Sequence, residues 1–166
     1  MLSKCNYNKL YLIKKKDIIK KVFLKEYKMA NQNMKHGAMN WVELMTSDIN
    51  GAKDFYSQVF NWKFEEYDSD SPMEYHMMTV EGDEMPFGGV YDKKDAMVDT
   101  NEMPSHWGNV ITVTSIDDTI EKVQSLGGNI IVPKTNIPKI GDFSVIQDPQ
   151  GAVISIMEYC EEMKNC

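Results

Sequence analysis

The chain has 166 residues, 42% of them apolar, and a formal charge of −7, which suits one domain with its own core and is short for two. All eighteen basic residues are lysine; nine of them fall in residues 1–28 against Asp17 and Glu26, a local charge of +7 that leaves −14 on the remainder. An acidic body without arginine argues against a nucleic-acid surface and against substrates gripped through phosphate, which guanidinium groups commonly hold in bidentate fashion.

Cys5, Cys160 and Cys166 are odd in number, lie near the ends and lack metal-type spacing. They point away from a disulfide framework and toward a reducing, cytoplasmic setting. No apolar run approaches the roughly 20 residues that a membrane span needs, so no span is expected.

Residues 1–28 mix lysine with Leu, Ile, Val and Phe. One reading is a basic amphipathic helix resting on anionic lipid or on a partner. The other is a frayed extension, or a stretch upstream of a natural start at Met29, dispensable for folding. Residues 1–37 are accordingly assigned as a basic extension and polar linker, disordered or arising from a mis-assigned start.

From Asn40 to Met45, Val42 and Leu44 alternate with Trp41, Glu43 and Met45, the period of a strand with two differently used faces. Ser47 and Asp48 then suit a helix N-terminus, and Ile49, Ala52, Phe55, Tyr56, Val59 and Phe60 form an apolar stripe. Trp62 to Tyr67, Glu74 to Val80 and Phe87 to Tyr91 read as strands, with turn signals at Asp68–Pro72. A charged loop follows from Asp92 to Ser105. The same order then recurs. Trp107 to Val113 reads as a strand, Ser115 with Asp118 resembles a capping box, and Ile116, Ile120, Val123 and Leu126 make a helical stripe closed by Gly127 and Gly128. Asn129 to Val132, Phe143 to Gln147 and Ala152 to Glu158 supply three more strands. A shift of 67 positions superposes Leu44 on Ile111, Ile49 on Ile116, Tyr56 on Val123 and Val59 on Leu126.

This pattern predicts an α+β domain over residues 38–159, made of two tandem β-α-β-β-β modules (38–92 and 106–159) in a curved eight-stranded sheet or half-barrel around a cavity, with helices near 48–60 and 116–127. Residues 160–166 are read as a tail.

The duplicated module, the segments TSDINGAKDFYSQVFNW and SIDDTIEKVQSLGG, and DPQGAVISIME near the end resemble the vicinal-oxygen-chelate superfamily of glyoxalase, bleomycin-resistance and extradiol-dioxygenase-like proteins. The likeness is greatest to a glyoxalase-like branch of unassigned activity. The resemblance implies helices outside a sheet that curves round a cavity, and a tendency to form homodimers. In metal-dependent members it implies His, Gln or Glu ligands on the first and last strands of each module. Those positions fall here on Trp41, Gly88, Gly108 and Ser155. None offers a normal donor to a divalent ion, so no metal and no other cofactor is expected.

Strand alternation assigns Val42, Leu44, Ile111, Val113, Ile154 and Ile156 to the helix side. Trp41, Glu43, Val110, Thr112, Ser155 and Met157 are left for the cavity. Glu43 is the candidate catalytic residue, since a carboxyl in an apolar cleft tends to have a raised pKa; the alternative is a hydrogen-bonded cavity residue. His76 can face either side of its strand and is carried as a possible substrate contact, while His36 and His106 lie at loop edges. Trp41 and the methionines suit a small apolar or aromatic ligand. Motifs for nucleotide binding, serine hydrolysis and zinc proteolysis are absent. Two functions stay open: a small-molecule-binding protein without the usual metal, or a lyase, isomerase or dioxygenase using Glu43 as base or as a relocated metal ligand.

Overall fold

The computed structural model of the chain describes residues 34–67, 73–97 and 103–164. The expectations for the basic extension, the Asp68–Pro72 turn and the middle of the charged loop fall outside them. In chain order the elements are β1 (Met39–Thr46), α1 (Ile49–Phe60), β2 (Trp62–Glu66), β3 (Tyr75–Val80), β4 (Gly88–Asp92), a 3-10 turn (Lys93–Asp95), β5 (His106–Thr112), α2 (Ile116–Ser125), β6 (Asn129–Ile137), β7 (Gly141–Gln147), β8 (Val153–Tyr159) and α3 (Glu161–Lys164).

The eight strands form one open, curved sheet in the order β2-β3-β4-β1-β5-β8-β7-β6. Each module supplies one half. Within a half the first strand pairs in parallel with the last, β1 with β4 and β5 with β8, and the halves join where β1 and β5 run antiparallel. The repeat legible in the sequence thus becomes two halves of one sheet.

Local chemistry fixes the helices. Asp48, in extended conformation, accepts the Gly51 N–H on Oδ1 at 2.9 Å. Ser115 Oγ accepts the Asp118 N–H at 3.1 Å. Glu158 adds a long-range cap from β8, its Oε2 accepting the Ile116 N–H at 2.9 Å. Caps of this kind contribute about 1 kcal/mol each. Ser47 takes no part in capping, and its N–H points instead to Ser105 Oγ.

The helices cover one face of the sheet. Between α1 and the sheet Ile49 packs with Leu44, Met78 and Val90, flanked by Val42, Tyr56, Trp62 and Phe87. Between α2 and the sheet Ile116 packs with Val113 and Ile156, flanked by Ile111, Ile120 and Ile146. Each fully buried side chain of this size contributes about 1.5–3 kcal/mol. Tyr56 ties α1 to the sheet, its ring 5.5 Å from that of Trp62 and 5.3 Å from that of Trp107, whose Nε1–H donates to the Tyr56 hydroxyl.

The structure corrects the sequence reading elsewhere in the fold as well. The apolar stripe of α1 is wider than the face it buries, since Phe55, Val59 and Phe60 are more than half exposed. β6 runs on through Pro133 to Ile137, which is tolerated because β6 is an edge strand whose pairing with β7 shifts register on both sides of Val132. Residues 34–37 of the supposed linker are tied down: the Gly37 N–H donates to Thr112 O, the Thr112 N–H donates to Ala38 O just beyond, and Met34 packs against the second module. The supposed tail contains α3, whose Met163 joins that same cluster.

Candidate functional site

Glu43 stands at the middle of the sheet on β1, opposite Gly89 of β4 and Gly108 of β5. Since Val42 and Leu44 pack beneath α1, alternation turns Trp41 and Glu43 to the concave face. A Cβ on Gly89 would collide with the ring and hydroxyl of Tyr75 from β3. Glycine at this point lets the phenol lie across β4 and reach β1. The Tyr75 hydroxyl accepts the Trp41 Nε1–H at 2.9 Å and donates to Glu43 Oε1 at 3.0 Å. A Trp–Tyr–Glu chain of hydrogen bonds results. Tyr91 stacks on Tyr75 with ring centroids 6.2 Å apart and planes 13° from parallel.

The second module closes the other side. Val110, Met157 and Tyr159 form a buried cluster with Trp41, Ile137, Ile140 and Phe143. Tyr159 places its hydroxyl 3.5 Å from Asn40 Oδ1.

Burial raises the Glu43 carboxyl above its ordinary value, and the Tyr75 hydrogen bond opposes this in part. The residue as a whole still keeps some surface open to solvent. Burial first, and the Glu43 charge second, push the Tyr75 and Tyr91 phenols upward. Tyr159 is raised chiefly by burial, with the Asn40 contact opposing and the Glu43 charge adding. These phenols remain protonated at neutral pH and can only donate or accept hydrogen bonds there. Chemically, the face offers a carboxyl held by one phenol, further phenols, an indole and apolar walls.

Of the residues singled out in the sequence, Trp41, Val110 and Met157 come together in one cluster. Thr112 and Ser155 share their face by alternation, Thr112 pairing with Met157 and Ser155 with Val110 across β5 and β8. His76 does not join them. It has the parity of Met78, which is fully buried under α1, so its ring lies on the helix side, with Nε2 3.0 Å from Glu74 Oε1 and Nδ1 buried without a partner. Gly88 is likewise displaced: a Cβ there would press on Val42 and Met78 in the helix-side layer, and the cavity-facing position of β4 is Gly89. Tyr75, Tyr91 and Tyr159 were missed. The sequence signal for Tyr75, its shared parity with Met77, is ambiguous because Met77 and Met78 are both apolar.

A groove of about 340 Å³ lies on the opposite side of the sheet, lined by Phe55, Tyr56, His106 and Trp107 among others. Its polar groups are engaged in structure: Asp48 caps α1, and His106 Nδ1 lies 3.0 Å from Pro104 O. The Glu43 carboxyl, the Tyr75 and Tyr91 phenols and the Trp41 indole lie on the concave face instead.

A divalent ion, which the resemblance implies for metal-dependent members, does not fit these residues. The matching positions carry an indole, glycines and a hydroxyl, and among the described residues no group of three or more His, Cys, Asp or Glu side chains is placed to hold a metal. No helix among the described residues is long and apolar enough to cross a membrane.

Comparison with known proteins agrees with this architecture. CFP32 of Mycobacterium tuberculosis, whose name provisionally marks it as a glyoxylase, is 30% identical over 135 residues, covering 75% of this chain and 46% of its own length. The chain therefore spans about half the length of the curated relatives it matches. Among solved structures, hypothetical protein BH1468 from Bacillus halodurans aligns with a TM-score of 0.57 at 13% identity, over 76% of this chain and 97% of its own. Methylmalonyl-CoA epimerase from Mycobacterium tuberculosis aligns with a TM-score of 0.51 at 14% identity, over 78% and 92%. Residues 38–156, both modules up to the middle of β8, match the sequence model of the Glyoxalase/Bleomycin resistance protein/Dioxygenase superfamily, and it is to this superfamily that the chain belongs.

Proposed function

We propose that the protein binds a small apolar or aromatic molecule on the concave face of its sheet, without the divalent ion that metal-dependent members of its superfamily use. The observation that carries this reading is the Trp41–Tyr75–Glu43 chain of hydrogen bonds, set between the Tyr75/Tyr91 stack and the apolar cluster of the second module. A surface of this make-up, mostly apolar with a few convergent polar groups, suits a small ligand. Val110, Thr112, Ser155 and Met157 belong to the proposed seat, and His76 does not. The cysteine usage fits a cytoplasmic setting.

The test is a thermal-shift screen of neutral, anionic and cationic indole and naphthalene derivatives. Bound compounds raise the melting temperature by mass action and are afterwards recovered for mass spectrometry. The expected result is a shift that Trp41→Ala abolishes, with the compound recovered intact. A shift unaffected by Trp41→Ala defeats the reading, as does stoichiometric divalent metal in protein purified without chelator.

A second reading, enzymatic proton transfer by Glu43, is favoured by the raised pKa and by the phenol that holds the carboxyl. Conversion of a bound compound that stops in Glu43→Gln would establish it over simple binding. On the resemblance alone the protein is also proposed to be a homodimer. Light scattering should then give twice the chain mass of 19.1 kDa, and a monomer mass across micromolar concentrations refutes it.

A further inference from the structure

The concave face contains one conspicuous imbalance. Glu43 sits at its centre with no cation beside it among the described residues: burial and the Tyr75 hydroxyl act on its carboxyl, and no described ion pair reaches it. Its Oε1 accepts from Tyr75, while its Oε2 receives no hydrogen bond from any described residue and is not shut away from solvent. A half-satisfied carboxylate among aromatic rings is costly unless something else supplies the missing charge.

The strands on either side of Glu43 show where that something would sit. Both present glycine opposite the carboxylate, Gly89 on β4 and Gly108 on β5. The space over Gly89 is filled by the Tyr75 ring. Over Gly108 it is open: a Cβ built there meets nothing among the described residues nearer than the Glu43 carbonyl oxygen, at 4.0 Å. Gly108 shares the parity of Val110, so this opening faces the same side as the carboxyl. The next pair along β1 and β5 on that face is Trp41 with Val110. The glycine there has no left-handed backbone to explain it. Its effect is to leave room.

We propose that this opening over Gly108 is the seat of an organic ammonium group, which donates to Glu43 Oε2 while the aromatic body of the same ligand lies against Trp41 and the cluster of Val110, Met157 and Tyr159. This deepens the proposed function, on which it rests, by naming the class of ligand: an amine carried on an apolar or aromatic frame. Three features fit that class together. A carboxylate without a counter-charge is complemented by a cation. Indole and phenol faces attract cations through their ring quadrupoles, and an aromatic lining with a nearby carboxylate is a known way to hold ammonium groups. The charge of −14 outside residues 1–28 favours the approach of cations and opposes that of anions. A carboxylate ligand would meet Glu43 as a like charge, with no arginine anywhere in the chain to offset it.

Matched probes on one indole body separate the possibilities: tryptamine as the cation, tryptophol as its neutral counterpart and indole-3-propionate as the anion, each titrated by calorimetry into the full chain. Tryptamine is expected to bind at least about tenfold more tightly than tryptophol, and indole-3-propionate not at all. Glu43→Gln should reduce tryptamine to the affinity of tryptophol. Gly108→Leu should abolish both, with circular dichroism confirming that each variant keeps its fold. Equal binding of tryptamine and tryptophol by the unaltered protein overturns the inference, as does an ammonium preference that survives Glu43→Gln or a complete lack of tryptamine binding at millimolar concentration. The two readings fail separately. If tryptophol binds as well as tryptamine and Gly108→Leu removes both, the cleft is a binding site but not one for cations. If binding persists undiminished in Gly108→Leu and Trp41→Ala, the ligand lies elsewhere and the proposed function falls with it.

Discussion

Gly89→Ala is expected to lower the stability of the protein by about 2–4 kcal/mol, a fall of roughly 5–15 °C in melting temperature. The added methyl group would occupy the position of the Tyr75 ring. Tyrosine has two rotatable side-chain bonds and a rigid ring, so Tyr75 cannot yield by a small bend. It must swing off β4, and with it go the bond from Trp41, the bond to Glu43 and the stack on Tyr91. The Glu43 carboxylate is then left buried with one fewer donor, which is the more expensive part of the loss. Alanine itself suits a strand no worse than glycine, so backbone propensity does not account for the effect. A double-mutant cycle isolates the cause. In a Tyr75→Ala background the same Gly89→Ala change should cost under about 1 kcal/mol, because the space has been vacated. An equally large loss in both backgrounds would show that Gly89 matters for some reason other than Tyr75.

Glu43→Gln should act in the opposite direction, stabilising the protein at neutral pH by an amount that shrinks as the pH falls. The folded-state pKa of Glu43 is raised above its ordinary value of 4.5, chiefly by burial. Across the interval between the unfolded and folded values the native state therefore binds more protons than the unfolded state, and stability drops as pH rises through it. Below that interval the carboxyl is neutral in both states and carries no penalty. Above it, the full cost of holding a desolvated charge is present. Glutamine has nearly the same shape, is neutral at every pH, and still accepts the Tyr75 hydroxyl. Denaturant unfolding of the two proteins from pH 4 to pH 8 should give curves that nearly coincide at the acid end and separate steadily toward neutrality, with the variant above. A variant less stable at pH 7 would mean that the charge is compensated by a group not visible among the described residues. Retaining such a residue against its effect on stability is typical of sites that serve binding or chemistry, and the same unneutralised charge is what the ammonium ligand is proposed to meet.

Much of the architecture follows from the sequence alone, for reasons that are local. Alternation in β1 and β5, the Asp48 and Ser115 caps, and the glycine that closes α2 in left-handed conformation are set by neighbours a few residues apart. The repeat needs no tertiary information either, and two copies of one module imply two like halves of a sheet. Alternation also suffices to bring Trp41, Glu43, Val110 and Met157 to one face, since their strands each have an unambiguous apolar side.

What only the tertiary structure decided are the features that depend on pairing between distant strands. β3 is apolar at Met77 and Met78 alike, so its parity is ambiguous in isolation; packing under α1 selects Met78, carries His76 to the helix side and leaves Tyr75 on the concave face. The use of Gly89 rather than Gly88 follows from that choice, because a glycine acquires meaning only from the ring lying over it. The run of β6 through Pro133 is permitted by its place at the sheet edge, and the cover over Phe55 and Phe60 falls short of what their spacing suggests. Above all, the balance of charge at Glu43 rests on its burial and on the Tyr75 hydroxyl from β3, and its charge in turn acts on phenols of β3, β4 and β8. Electrostatic energy depends on distances in space and on the water each group has lost, and neither quantity exists until the sheet has closed around the carboxyl.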